Sequence, residues 1–140
     1  MIDFSDASRD ALQYAIDMAA SLDTRVCALY PYRLTNLAPQ DDVARAKSSL
    51  DLGASQDFIK LRNSLPTTPA VAVEFRSEVG FINDRVYAYL KLNPQVVIVS
   101  ASLADTNVEA MHDMYDTLLV PLLVVPGDKN KSELYNPQKV

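Results

Sequence analysis

An α/β fold built on an open parallel sheet is what this chain predicts, and three observations predict it. Stretches with apolar residues at helical spacing alternate with short β-branched runs along most of the length. One of those runs, Val96-Val97-Ile98-Val99, is continuously apolar, as in a parallel strand covered on both faces. Strands that alternate with helices are joined by right-handed crossovers, which lay the helices over the sheet.

The elements follow in order. From about Asp6 to Leu22, the residues Ala11, Leu12, Ala15, Ile16, Ala19 and Leu22 form one helical stripe, and Ser5 or Asp6 is placed to cap it. Arg25 to Tyr30 reads as a strand ended by Pro31, and a polar loop runs from Tyr32 to Pro39. A long helix then extends from about Gln40 to Leu65. Its apolar face is Val43, Ala46, Leu50, Ala54, Phe58, Leu61 and Leu65, and Asp41 and Asp42 stand in its first turn, where negative charge suits the helix dipole. Gly53 weakens this helix by about 1 kcal/mol relative to alanine, so a bend is expected there. Pro66 and Pro69 stop it.

Ala70 to Arg76 alternates as a strand toward an edge of the sheet. Val79, Ile82, Val86 and Leu90 mark a helix that ends before Pro94. After the valine run, Thr106-x-x-Glu109 spells a capping box. It opens a helix with Val108, Met111, Tyr115 and Leu118 on one face. Pro121 to Pro126 encloses a last strand, Leu122 to Val125, and residues 127–140 form a polar tail or linker after a single domain at 1–126.

Composition narrows the function classes. A net charge of −5 speaks against nucleic acid or an anionic membrane surface as partner, because both need a basic face. No apolar stretch approaches the roughly 18 residues of a membrane span. A single cysteine, Cys27, leaves no internal disulfide to form and suits a reducing cytoplasm. In a strand beside Val26 it is expected to be small buried filler. His112 is the one histidine, without converging partners at metal-binding or catalytic spacing, and a surface position is expected for it. The tyrosines Tyr30, Tyr32, Tyr87 and Tyr89 are candidates to line a crevice. No Ser-His-Asp order, HExxH, CxxC or P-loop occurs, so the residues give no case for an enzyme.

Ligands of open α/β sheets sit beyond the carboxyl ends of the strands, here Asp3 to Ser5, Tyr30 to Tyr32, and Ser100 to Ser102. At the first of these, Asp3-Phe4-Ser5-x-Ala7-Ser8 resembles the opening of the universal stress protein family. The long second helix, the valine-rich strand and the closing Pro121-Leu-Leu-Val-Val-Pro126 are similar as well, so the resemblance covers residues 2 to 126. It implies a Rossmann-like parallel sheet in the order 3-2-1-4-5, of the adenine nucleotide α-hydrolase type. In that order a hydrophobic first strand precedes the Asp-Phe-Ser turn. Only Met1 and Ile2 stand there, so the resemblance implies a missing or truncated central strand, or one supplied from another chain.

The resemblance also implies candidate nucleotide contacts. Asp3 stands where relatives touch the base or ribose, although capping of the following helix alone would account for it. Phe4 and Ser5 share its turn. Ser100, Ser102 and Thr106 could take an anion at a helix N-terminus, with capping by Thr106 the simpler role. Nucleotide-binding members follow their fourth strand with G-x-x-G-x9-G-[S/T], whose glycines let backbone N–H groups approach phosphate. Here no glycine occurs between Gly80 and Gly127, and Asp105 and Glu109 bring negative charge instead. The family's ATP-binding mode is therefore not expected. A non-catalytic stress-response or regulatory protein acting through protein contacts is expected, dimeric along Leu122, Leu123, Val124 and Val125. The other readings are a sensor binding ATP or AMP at a degenerate phosphate site, and a nucleotide hydrolase.

Overall fold

The computed structural model describes residues 1–35, 37–66, 71–101 and 120–125. Among them are three helices and four strands, and every strand pairing is parallel. Helix α1, Asp6–Leu22, starts where expected because the Ser5 hydroxyl accepts the Ser8 N–H and so satisfies an orphan donor. It ends at Asp23, whose left-handed backbone returns its N–H to the carbonyls of Ala19 and Ala20. Ser8, Ala11, Leu12, Ile16 and Ala19 are buried, one face at helical spacing. Leu22, expected on that face, is 62% exposed at the end of the last turn.

Strand β1, Val26–Tyr32, pairs with β2, Val73–Val79, from Val26 against Val73 to Tyr32 against Val79. Pro31 does not end β1 as its sequence position suggests. In a parallel pair only alternate residues donate to a given neighbour, and Val26 is one that faces β2, through Ala72. Pro31 lies on the opposite phase, where its missing N–H leaves the β1–β2 ladder intact. β2 runs three residues beyond the expected Arg76, and it is the outer member of its pair among the described residues.

Helix α2, Val43–Ser64, is capped by Asp42, whose carboxylate accepts the Arg45 N–H. Asp42 thus precedes the first turn instead of standing in it, and Asp41 holds the Ala38 N–H one step earlier. The expected seven-turn apolar face is buried only toward its end, at Ala54 and Phe58 and then at Leu65, while Val43 and Leu50 are exposed. Helix α3, Ile82–Leu92, follows, its end held by the Asn93 side chain on the Tyr89 carbonyl. Strand β3 is Ile98–Ala101, two residues later than the Val96–Val99 run, and pairs with β4, Leu122–Val125, from Ile98 against Leu122 to Ala101 against Val125.

The core has a part on each side of the strands. Leu12, Ile16, Ala28 and Phe58 cluster with Ile2 where α1 and α2 cover β1 and β2. Ala11, Val99 and Ala101 extend the α1 side over β3 and β4. Leu29, Val86 and Ile98 form the other side under α3. Neighbouring residues of β1 and of β3 therefore point to opposite helix layers. Between β1 and β3 lie the first two residues: the Ile2 N–H donates to the Leu29 carbonyl at 3.0 Å, and the Met1 ammonium donates to the Val99 carbonyl at 2.9 Å.

Candidate functional site

The opening turn closes on itself. Asp3 Oδ1 accepts from the Ser5 N–H at 3.0 Å, the Ser5 hydroxyl at 2.5 Å and the Ser8 hydroxyl at 2.6 Å. The Asp3 N–H in turn donates to Ser8 Oγ at 2.8 Å. Ser8 is 1% exposed, so its hydroxyl is a buried group satisfied as both donor and acceptor. Partial burial pushes the Asp3 carboxyl up, but the hydrogen bonds from Ser5 and Ser8 outweigh it and hold the group below its ordinary value.

Phe4, between them, has φ of 64°, an uncommon backbone region for a bulky residue. That conformation turns its ring inward. The ring centroid lies 4.8 Å from that of Tyr30 and 6.1 Å from that of Phe75, in tilted contacts that offset part of the strain. Phe4 is partly buried and packs against the core at the head of α1.

The ends of β1 and β3 bring Asp3 and Ser100 together, as the sequence predicts, with Met1, Ser8, Pro31 and Ile82, around a crevice of about 180 Å³. Ser100 is buried within β3. Ser5 is exposed at the cap and does not line that crevice. Ser102 and Thr106 lie outside the described residues, as do the expected helix at 106–118, His112 and the tail.

A polar cluster that sequence reasoning missed stands farther along β1. Tyr32 Oη donates to Asp51 Oδ1 at 2.6 Å, Ser77 Oγ donates to the same oxygen at 2.8 Å, and Lys47 Nζ reaches Oδ2 at 2.7 Å. The Lys47 ammonium, then Tyr32 and Ser77, hold the Asp51 carboxyl down to about 2 against a smaller desolvation effect. Desolvation first, and Asp51 second, push the Tyr32 phenol above its ordinary range. The i,i+4 spacing of Lys47 and Asp51 was the one signal available. Nothing in the sequence pairs either with Ser77. This cluster ties α2 to both strands of its sheet.

A larger cavity, about 560 Å³, lies elsewhere. Its lining includes Ala15, Met18 and Ala19 of α1 and Val86, Tyr89 and Leu90 of α3. Cys27 and Leu29 of β1, Ile98 and Val99 of β3, and Met1 complete much of the rest. Cys27 is half-buried instead of fully packed, and burial pushes its thiol up, away from the reactive thiolate. Of the four tyrosines considered, Tyr89 lines this space, Tyr30 packs against Phe4, Tyr32 anchors Asp51, and Tyr87 is exposed. Burial lowers the Met1 ammonium to about 6.

Among the described residues, no three His, Cys, Asp or Glu side chains converge as metal ligands, and no helix is long and apolar enough to cross a membrane. The class defined by these observations is an α/β protein of parallel strand pairs with helices on both faces. No protein-family model matches the chain, and no curated protein matches it.

Proposed function

We propose that this chain is a universal-stress-type protein of the cytoplasm, acting through protein contacts and not by catalysis, and that it dimerises along Leu122–Val125. The arrangement around the first two residues supports the fold part of that reading. Met1 and Ile2 bond to β3 on one side and β1 on the other, giving the sequence β2, β1, residues 1–2, β3, β4 across the molecule. An order 3-2-1-4-5 would run the same way, with residues 1–2 at the place of its first strand.

The observation that carries the functional part is the outer edge of β4. Among the described residues β4 pairs only with β3, and Val124 at its centre is 48% exposed. An apolar strand edge is a ready template for another strand. Antiparallel pairing of two identical edges is self-complementary, as a two-fold interface requires. The opposite end of the sheet offers a nucleotide little. Three donors of its own turn already occupy Asp3 Oδ1. The crevice beside it is well below the roughly 300–1,000 Å³ of small-molecule sites.

A second reading, an adenine-nucleotide sensor with a degenerate phosphate site, draws on Asp3 and Ser100 sharing that crevice. Thermal denaturation with ATP and with AMP separates the two. The protein-contact reading expects an unchanged midpoint. Ligand at 100 times its dissociation constant adds about 2.7 kcal/mol to the folded state, and a shift of that order would transfer the conclusion to the sensor.

A further inference from the structure

We infer that the head of helix α3 is a docking surface for a short acidic peptide segment of a partner protein, held by Arg33 and Arg85 beside the Phe81 ring. This surface is other than the β4 edge, and the inference does not depend on the dimer.

The fold brings these residues together from two elements. The Gly80 N–H donates to the Tyr32 carbonyl at 2.8 Å, which sets Arg33, the residue after β1, beside Phe81 at the start of α3. The Arg33 guanidinium carbon lies 4.2 Å from the centroid of the Phe81 ring, a cation–π contact. Arg85 donates its backbone N–H to the Phe81 carbonyl, one turn back. That spacing puts Phe81 and Arg85 on one face of α3. Gly80 makes room for the longer side chain, because a Cβ there would stand 2.9 Å from Arg85 Nε.

Both arginines are short of acceptors. Among the described residues neither guanidinium has a carboxylate within salt-bridge distance, the ion pairs being Lys47–Asp51 and Arg76–Glu78. Arg85 Nε is buried with no hydrogen-bond partner, and a charged donor left so is costly. Arg33 is exposed and Phe81 is 56% exposed, so the patch is open to solvent. Phe81 gives α3 no side-chain cap, and the first N–H groups of the helix add to the positive potential. Asp84 in that turn is one carboxylate against two guanidiniums, and Glu78 near the end of β2 is held by Arg76.

Charge and spacing identify the occupant. Phe81 and Arg85 are separated along the helix by about 6 Å, and carboxylates on alternate residues of an extended segment recur at roughly 7 Å. Two glutamates so placed meet both guanidiniums while their aliphatic stems lie against the ring. A single small anion has no such stem to set there. Nucleic acid or an anionic membrane would press a broad negative surface against a chain of net charge −5, whereas a short segment meets only this patch.

The test uses the full chain and a capped, fluorescein-labelled peptide of glutamates alternating with alanines, read by fluorescence anisotropy. Saturable binding is expected, weakening as salt rises. Arg33→Gln and Arg85→Gln should each weaken it about fivefold. Lys60→Gln makes the same charge change at an exposed site near the end of α2 and should weaken it by less than about twofold. Where Arg85→Gln lowers the melting midpoint, Arg85→Lys should restore both midpoint and binding, because it keeps the charge and most of the stem. The same peptide with glutamine for glutamate should not bind. Equal losses in Lys60→Gln and Arg33→Gln would overturn the inference in favour of net charge alone. So would equal binding of the glutamine peptide, or no binding at millimolar peptide. Displacement of the peptide by an equal concentration of inorganic phosphate, or of a nucleic-acid oligomer, would also overturn it.

Discussion

Asp51 shows how one side chain can join three elements. Its two oxygens take hydrogen bonds from β1 through Tyr32, from β2 through Ser77 and from its own helix through Lys47. All three favour the ionised form, and the carboxyl is held down to about 2 from an ordinary value of 3.8. A carboxylate whose folded value lies below its unfolded one contributes stability above the unfolded value and loses it as pH falls. The contribution is therefore complete above about pH 4 and fades as pH falls toward 2. Urea unfolding at a series of pH values should show this loss in the parent chain and a flatter acid limb in Asp51→Asn. Parallel curves would show that Asp51 carries none of the acid sensitivity. At the head of α1, Asp3 is used differently: its bonds stay within five residues and shape a turn.

At the scale of elements, α2 divides unevenly. Phe58 stacks on Phe75 of β2, with centroids 4.5 Å apart, and is buried. Leu50, on the same helical stripe two turns earlier, is 48% exposed. Phe58→Ala should cost about 3–5 kcal/mol through lost packing and the cavity left behind. Leu50→Ala should stay within about 0.5 kcal/mol, as for a surface position. Chemical denaturation of the two variants measures the contrast, and similar losses at both sites would contradict this division of the helix. Periodicity showed where α2 runs and which side of it is apolar. It could not show how far β2 extends beneath that side, because neighbouring coverage is a tertiary property. The same limit explains β3. The Val96–Val99 run is apolar throughout, yet pairing with β4 starts only at Ile98, since partner reach decides where a ladder begins. Pro31 stays in its strand because its missing N–H lies on the phase that faces away from β2, and the sequence does not show that phase until β2 is in place.

Across the whole molecule, the legible part was the alternation of helices with parallel strands and the bounds of α1, which local spacing and capping residues encode. Much of the candidate site was less so. Asp3 and Ser100 share a crevice because two distant strands end side by side, and their place at strand ends made that readable. The Tyr32–Asp51–Ser77 cluster and the space between β1 and β3 bring together residues far apart in the chain, with no spacing to announce them. Among the described residues β4 pairs on one side only, and its outer side presents a backbone edge to a further strand. The proposal that the chain acts by docking rests on that edge. Light scattering at micromolar concentration tests it most directly, with Val124→Lys placing a charge at the centre of that edge. The unmodified chain should weigh twice its sequence mass and the variant once. A single-chain mass for the unmodified protein, with its β4 amides exchanging freely, would contradict the account.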